Sequence, residues 1–382
     1  PYLLWSAPIL ALLLVMISFS GEIAAAFSRI LPSVTLNFQL WVLGVLICLF
    51  QVVYLFPGSV VYYLDADVIP KECFGRYMAL SSIASQITSA SFSYFILKYS
   101  FSHTKLVLGI LAALYLVVYL LQFFFVKEGE YPPVQDEVGA KESPFVRVKD
   151  YLFMFFRQCF SRKIYIFLAL CTGLNAASNI CRGMFNMLFA TKELGLSFAL
   201  VGKIAAIGSL ISAMLVFCFG KLMDKTHPML IYFVGGILIM LVNVFGYFFV
   251  YAKPVTYEGS IAIFGMSHTF HYSWTYAQLS YGVIAVVTAL MYAFQNLANT
   301  PLQVSIFPME KFGQYASSNS MVINVTLIIA SAIGGVVTQH LGYRVMFVWD
   351  FIVTGMATLA LLVVYHEWKR YGGKNYQAPV VK

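Results

Sequence analysis

The sequence predicts an all-α integral membrane protein whose helices cross the bilayer ten times. Hydrophobic residues make up 60% of the 382-residue chain and charged residues only 10%, which is more apolar than a water-soluble core requires. Apolar runs of about 20 residues, the length of a membrane-crossing helix, recur along the whole chain. The predicted spans are Leu3 to Phe19, Leu40 to Tyr63, Tyr77 to Ile96, Leu106 to Phe125, Ile164 to Phe189, Leu200 to Phe219, Met229 to Val250, Tyr276 to Leu297, Tyr315 to Val337 and Val345 to Tyr365.

The basic residues predict which side of the membrane each connection faces. Together, 16 of the 24 Lys and Arg lie in the connections 64–76, 127–163, 220–228 and 300–314 and in the tail from His366. Basic residues are retained on the cytoplasmic side during insertion, so these segments and both termini are expected to be cytoplasmic. The net charge of +8 is explained by this topology and by the anionic lipids of that leaflet. Because the basic residues are dispersed, we expect no nucleic-acid partner.

A duplicated segment indicates that the chain consists of two related halves. "PKECFGRY" begins at Pro70 and "PMEKFGQY" begins at Pro308, and each is expected on the cytoplasmic side between two spans. A second pair, "PYLLW" at Pro1 and "PMLIY" at Pro228, begins an apolar span in each half. Parallel repeats of this kind are typical of transporters that rock one half against the other.

The segment "GKLMDKTHP" carries a resemblance to a known family. Gly220, Asp224 and Lys225 resemble the G-x-x-x-D-[RK] loop motif of the major facilitator superfamily, whose members have twelve helices in two six-helix halves. The resemblance implies that the spans are family helices three to twelve and that helices one and two are missing from this chain. "DVIPKECFGRYMAL" and "VKEGEYPP" further resemble the glycoside, pentoside and hexuronide cation symporters.

The resemblance also implies a domain organisation. The expected parts are a remainder of the N-terminal bundle with four spans at 1–126, a cytoplasmic central loop with an amphipathic helix at 127–163, a C-terminal six-helix bundle at 164–365 and a cytoplasmic tail at 366–382.

The cytoplasmic connections are candidates for a conformational latch. Proline ends a helix, glycine permits close backbone approach, and a carboxylate can cap the next helix or meet basic residues. The alternative is that they are ordinary helix stop and start signals. The residues concerned are Pro70, Glu72, Gly75, Arg76, Gly220, Asp224, Lys225, Pro308, Glu310 and Gly313.

One span carries a continuous polar stripe. In "TGLNAASNICRGMFNML", Asn175, Asn179, Arg182 and Asn186 recur at helical spacing and fall within an arc of about 60°. Asparagine amides are suited to sugar hydroxyls, and a guanidinium is suited to a carboxylate or phosphate. The stripe therefore predicts a substrate site. The alternatives are that Arg182 pairs with an acidic residue of a neighbouring helix and that the asparagines bridge packed helices.

The span from Tyr276 supplies a second polar face with Tyr281, Tyr292, Gln295 and Asn296. The resemblance implies that this span and the Asn175 span are family helices ten and seven, which line the main cavity. Further candidates for substrate binding are Gln86 and Gln51. We expect Gln86, the Asn175 stripe, Tyr292 and Asn296 to converge on one central cavity.

Coupling to a cation has only one candidate residue. Symporters of the resembled group use acidic residues inside the membrane, but the span from Leu40 to Tyr63 contains no carboxylate. Asp350 remains, with Arg344 and Lys203 as candidate partners. The alternative to a coupling role, and the favoured one, is a structural ion pair. We expect no cofactor apart from a coupling H⁺ or Na⁺. No metal site is expected either, because His268 and His271 are fewer ligands than zinc needs.

The favoured function is a secondary active transporter that moves a sugar or a sugar acid by alternating access, coupled to a cation. The alternatives are a carrier of another small organic anion or a peptide-like solute, and a receptor or scaffold that does not transport. An enzyme is not expected, since no nucleophile, metal site or paired acids face one cavity. The expected partners are a small-molecule substrate and the lipid bilayer, and the expected state is a monomer in a bacterial-type inner (plasma) membrane.

Overall fold

The structure, a computed structural model, describes residues 2–30, 38–68, 71–100, 102–126, 155–251, 259–263, 266–270, 276–308 and 311–379. The long helices are α1 Tyr2–Ser18, α2 Ser20–Ile30, α3 Phe38–Val68, α4 Lys71–Ser91, α5 Thr104–Phe125, α6 Lys163–Leu188, α7 Phe198–Lys225, α8 Pro228–Phe249, α9 Tyr276–Ile306, α10 Phe312–Leu341 and α11 Val345–Arg370. Helix α4 continues through a π-helical turn at Phe92–Ile96, and α6 continues through one at Phe189–Glu193.

All ten predicted spans fall on helices. In the described part of the chain, seven helices are long and apolar enough to cross a membrane, namely α5 to α11. Helices α1 and α2 together form an eighth candidate, although they bend by 69° at the break between them. The all-α, multi-pass architecture is therefore confirmed. The count of ten crossings stays a prediction, as does the orientation of the connections.

Two elements lie in segments that the hydropathy pattern assigns to outer connections. Helix α2 follows α1 at once, with Glu22 in its first turn and Arg29 in its last turn, where each charge opposes the helix dipole. Strands β1 Gly259–Ile263 and β2 Met266–Phe270 pair antiparallel, with Gly259 opposite Phe270 and Ile263 opposite Met266. Both elements are too short to produce an apolar run of membrane length, so the search for spans could not detect them.

The chain divides into two compact units, residues 1–78 with 96–135 and residues 79–95 with 136–382. In the first unit, α1 packs against α3 and α5, and α2 packs against α3. In the second, α6 packs against α10 and α11, α8 packs against α9 and α11, and α7 packs against α9. The predicted domain boundaries at 126 and 163 stay a prediction.

The second unit buries apolar residues at both ends of its helices. One cluster includes Ile164, Leu168 and Leu302, and a second includes Phe189, Met346 and Phe347. Large apolar side chains also cover the outer surface, among them Met214 at 75% exposure and Phe248 at 65%. An outer surface of this kind fits hydrocarbon rather than water.

Helices α8 and α11 approach each other closely at Gly246. A Cβ atom added there would overlap the ring of Phe347, which is itself buried. On α10, by contrast, a Cβ atom at Gly335 would meet nothing within 4 Å. The α8–α11 contact therefore requires glycine at position 246, for reasons of space alone.

Replacing Gly246 by alanine is expected to destabilise the second unit by about 1–3 kcal/mol, because the Phe347 ring or the α8 backbone must shift. Thermal melting of the purified protein in detergent measures the effect. Gly335→Ala is the control and is expected to be neutral or stabilising by up to about 1 kcal/mol. Equal melting temperatures for the two variants would contradict the close approach.

Candidate functional site

A buried ion pair lies inside the second unit. Asp350, in the second turn of α11, is fully buried, and its carboxylate accepts a hydrogen bond from Arg182 Nε of α6 at 3.0 Å. The side chain of Arg182 is 11% exposed and that of Asp350 is 0% exposed. Charged side chains at this depth are stable only when they are paired and hydrogen-bonded.

Three neutral side chains complete the surroundings of the carboxylate. Asn243 Nδ2 of α8 and the Tyr292 hydroxyl of α9 donate to Asp350 Oδ2 at 3.0 and 2.6 Å. The Thr354 hydroxyl, one turn along α11, donates to Oδ1 at 3.1 Å. The carboxylate thus accepts hydrogen bonds from side chains of four helices, α6, α8, α9 and α11. Four donors around one group match the ionised form of the acid.

The guanidinium of Arg182 makes two further contacts, with Asn243 and with Phe347. Its Nη2 donates to Asn243 Oδ1, and its Cζ lies 5.0 Å from the centre of the Phe347 ring. A cation over an aromatic face gains additional stabilisation away from water. We call Arg182, Asn243, Tyr292, Asp350 and Thr354 the Asp350 network.

The partner of Asp350 differs from the expectation. Arg344 donates to the Tyr247 carbonyl and lies over the Tyr247 ring, and Lys203 is exposed. The pairing of Asp350 with Arg344 or Lys203 is therefore wrong in this structure. Arg182 has an acidic partner on a neighbouring helix, which is one of the two alternatives that its position in the sequence left open. Helical spacing defines the face of a residue, but not the helix that this face meets.

The remaining members of the α6 stripe are buried or half-buried within the second unit. Asn175 is buried, and its Oδ1 has no hydrogen-bond partner among the described residues. Asn179 Nδ2 donates to the Asn175 carbonyl at 3.3 Å, within the helix. Asn186 Nδ2 donates to the Tyr281 hydroxyl of α9 at 2.9 Å. The stripe faces other helices over most of its length.

The predicted face of α9 is only partly directed inward. Tyr281 and Gln295 are buried, whereas Asn296 is exposed. Gln295 Nε2 donates to the Tyr232 carbonyl at 3.4 Å, while its Oε1 and the Thr288 hydroxyl have no partner in the described part of the chain. Gln86 is half-buried on α4, and Gln51 is exposed on α3. The convergence of all the candidate residues on one cavity stays a prediction.

Two members of the Asp350 network, Asn243 and Thr354, were not among the site residues predicted from the sequence. Asn243 is the one polar side chain in "GGILIMLVNVFG", and an isolated asparagine in an apolar span is itself a signal of an internal contact. Thr354 follows Asp350 by one helical turn, where a hydroxyl can reach a carboxylate. Both signals are visible without a structure.

The predicted latch residues are described only in part. Gly220, Asp224 and Lys225 belong to the last turns of α7, so the connection to α8 is shorter than predicted, because the helix continues through Lys225. Pro308 follows the end of α9, and its carbonyl accepts from the Lys311 N–H at 3.1 Å before α10 begins. Gly313 is the second residue of α10.

The other latch residues cannot be assigned contacts. Pro70 and Glu310 lie outside the described residues, and the described features of Glu72, Gly75 and Arg76 are limited to the backbone of α4. The latch therefore stays a prediction.

A multi-pass helical membrane protein with a buried ion pair is the class that the fold and this geometry define. Residues 2–301 match the model of the Major Facilitator Superfamily. The chain therefore belongs to the major facilitator superfamily, a family of membrane transporters. No curated protein matches the chain.

Solved structures share the fold at low sequence identity. A bacterial homologue of the iron transporter ferroportin, in its outward-facing state, superposes with a TM-score of 0.58 at 12% identity, covering 95% of this chain and 84% of that chain. The E. coli fucose:proton symporter gives a TM-score of 0.51 at 10% identity with the same coverage, 95% and 84%. At these identities the likeness shows the fold alone.

Replacing Arg182 by glutamine is expected to leave the Asp350 charge buried without its cation and to destabilise the second unit by about 3–5 kcal/mol. For a unit of this size, the expected decrease in apparent melting temperature is on the order of 10 °C. Melting of the detergent-purified protein measures it.

The double variant Arg182→Gln/Asp350→Asn is the matched control, because it removes both charges and keeps polar side chains of similar size. It is expected to recover most of the loss. If Arg182→Gln alone melted at the wild-type temperature, the ion pair would not contribute to stability.

Proposed function

We propose that the protein is a secondary active transporter that carries a sugar acid across the membrane by alternating access, coupled to protons. The Asp350 network is the observation that carries this proposal. It places a guanidinium, a carboxylate, an amide and a phenol together inside one bundle of a major facilitator protein. Ionisable residues in such positions are commonly part of substrate or proton pathways.

The ion pair suggests how an anion and a proton are coupled. Arg182 keeps its charge, so it requires one negative partner at each stage of transport. In the structure that partner is Asp350. Protonation of Asp350 would remove its charge, and the carboxylate of a substrate would then become the better partner for Arg182. One proton and one carboxylate would thus enter the site together.

The surroundings of the carboxylate favour a proton over Na⁺ as the coupling ion. Asp350 Oδ2 accepts from Arg182, Asn243 and Tyr292, and Oδ1 accepts from Thr354. A hard metal cation needs several oxygen ligands directed at it, whereas the groups around this carboxylate are hydrogen-bond donors. A proton needs only a lone pair of the same carboxylate.

Unpaired buried acceptors favour a hydroxyl-rich solute. Asn175 Oδ1 and Gln295 Oε1 are buried without partners among the described residues, and each lies on a helix face that carries a member of the network. A buried acceptor without a donor costs about 1–3 kcal/mol, and a sugar hydroxyl would supply the donor. The fucose:proton symporter, which shares the fold, is named for a sugar and a proton, and this chemistry is compatible with the proposal.

The charge of the substrate is tested by competition binding with a uronate and with its parent hexose. Each single substitution leaves one buried charge without its partner, so the comparison is made between Asp350→Asn and the double variant, with protein that melting shows to be folded. Adding Arg182→Gln to Asp350→Asn is expected to weaken uronate binding at least tenfold, the equivalent of about 1.4 kcal/mol, and hexose binding less than twofold.

Arg344→Gln is the control for this test, since Arg344 contacts the Tyr247 carbonyl and ring rather than the network. Equal losses for uronate and hexose would contradict an anionic substrate and favour a purely structural arginine. If the wild type bound neither ligand, another organic anion, a peptide-like solute or a receptor function would become the better proposal.

Proton coupling is tested with Asp350→Asn in proteoliposomes. The variant is expected to lose accumulation of the uronate driven by a pH gradient, because its amide cannot take up a proton. Exchange of labelled for unlabelled uronate without a gradient should persist. Accumulation at the wild-type level would contradict Asp350 as the proton carrier, and accumulation driven by a Na⁺ gradient would replace the proton in the proposal.

A further inference from the structure

A polar cavity of about 350 Å³ lies at the end of the second unit where α6 begins and α11 ends. This end is the one that the distribution of basic residues predicts to be cytoplasmic. The cavity is separate in the sequence from the Asp350 network, since none of its lining residues belongs to that network. It is lined by Ser161, Arg162, Lys163, Glu367, Arg370 and Tyr371.

The lining is predominantly positive. Arg162, Lys163 and Arg370 contribute three cations against the single carboxylate of Glu367. Among the described residues, only Arg370 forms an ion pair within the cavity, with Glu367 at 3.7 Å. Arg162 and Lys163 are exposed and have no carboxylate within 4.0 Å in the part of the chain that the structure describes. The cavity therefore has an excess of positive charge available to a ligand.

The backbone of α6 adds to the positive charge of the cavity. Helix α6 begins at Lys163, and its N-cap residue, Arg162, makes no side-chain hydrogen bond to the first turn. The positive end of this 26-residue helix therefore lies at two residues that line the cavity, Arg162 and Lys163. Backbone N–H groups at such an end bind phosphate oxygens readily.

The buried carboxylate of Glu367 reduces the positive charge of the cavity. Glu367 is 7% exposed and holds Arg370 at the rim, where the arginine side chain is 71% exposed. An anion inside the cavity meets the repulsion of Glu367 as well as the attraction of the three bases. The lining nevertheless keeps a net positive charge, so Glu367 weakens the attraction of an anion without reversing it.

Aromatic residues beside the cavity indicate that it lies at the level of lipid headgroups. The Trp368 ring stacks on the Tyr365 ring, with centroids 6.0 Å apart, and meets the His227 ring at a tilt, with centroids 4.8 Å apart. Lys369 Nζ lies 4.6 Å from the centre of the Tyr365 ring. Burial lowers the pKa of His227, which favours its neutral form in this apolar contact. Tryptophan and tyrosine are enriched where a membrane meets water.

We propose that this cavity is a binding site for a phosphate group, occupied by the phosphodiester headgroup of an anionic membrane lipid. The shared chemistry of the ligand is a tetrahedral phosphate held by Arg162, Lys163 and Arg370. A soluble phosphate is the other source of this chemistry, and the test separates the two. The site is independent of the transported solute, so its test does not depend on the proposed function.

Native mass spectrometry of the full chain, purified in detergent, measures occupancy during titration with phosphatidylglycerol, phosphatidylcholine or inorganic phosphate. We expect phosphatidylglycerol to bind more tightly than phosphatidylcholine. Arg162→Gln and Lys163→Gln should each weaken its binding about fivefold, the effect of one basic residue at a membrane surface.

Lys369→Gln is the matched control, because Lys369 is at the same helix end and does not line the cavity. It is expected to change binding less than twofold. Glu367→Gln should strengthen binding of inorganic phosphate, a gain that a misfolded variant would not show. Melting temperatures identify any variant that does not fold.

Each outcome decides the proposal. Binding of phosphatidylglycerol with losses only in the cavity variants supports the lipid site. Binding of inorganic phosphate with the same pattern supports the phosphate site and assigns it to a soluble ligand. An equal loss of binding in Lys369→Gln would show diffuse attraction to the surface and would overturn the site. The site would also be overturned if neither phosphatidylglycerol nor phosphate bound.

Discussion

The charge of Asp350 is the constraint on which the second unit depends. A carboxylate with no exposure to solvent needs compensation from every side, and it receives donors from Arg182, Asn243, Tyr292 and Thr354. Because these donors come from four helices, the position of each helix is tied to one carboxylate group. Loss of one partner leaves charge without compensation in a low-dielectric interior, so the network links the packing of four helices to one carboxylate.

The close packing of the helices makes this network possible. Gly246 allows α8 to approach the Phe347 ring of α11, and Asn243 precedes Gly246 by three residues on the same helix. The amide thereby reaches both Arg182 and Asp350. Apolar contacts at Phe347 and polar contacts at Asp350 are thus parts of one interface between α8, α6 and α11. The geometry of the candidate site depends on the packing around it.

The far end of the same helices has a different electrostatic character. There, Arg162 is the N-cap of α6 and Lys163 is its first residue, and the last turn of α11 contains Glu367 and Arg370. The tail beyond α11 packs back onto the bundle, since the Tyr376 hydroxyl donates to the Ile306 carbonyl at 2.9 Å and burial raises the pKa of this hydroxyl. The unit thus has an exposed basic cavity at one end and a buried, compensated ion pair near the other.

The sequence by itself determined that the protein is an all-α, multi-pass membrane protein of the major facilitator superfamily, because hydropathy and motif residues are local properties of the chain. It also identified Arg182 and Tyr292 as polar residues of interest, since helical spacing defines the face of each residue. It could not reveal α2 or the β1–β2 hairpin, which are shorter than a membrane span. Only the tertiary structure decided that Arg182 pairs with Asp350 instead of lying without an acidic partner. It also decided that Asn296 is exposed while Gln295 is buried. The physical reason is that helical periodicity orients a side chain about its own axis, whereas its partner depends on which helices pack together.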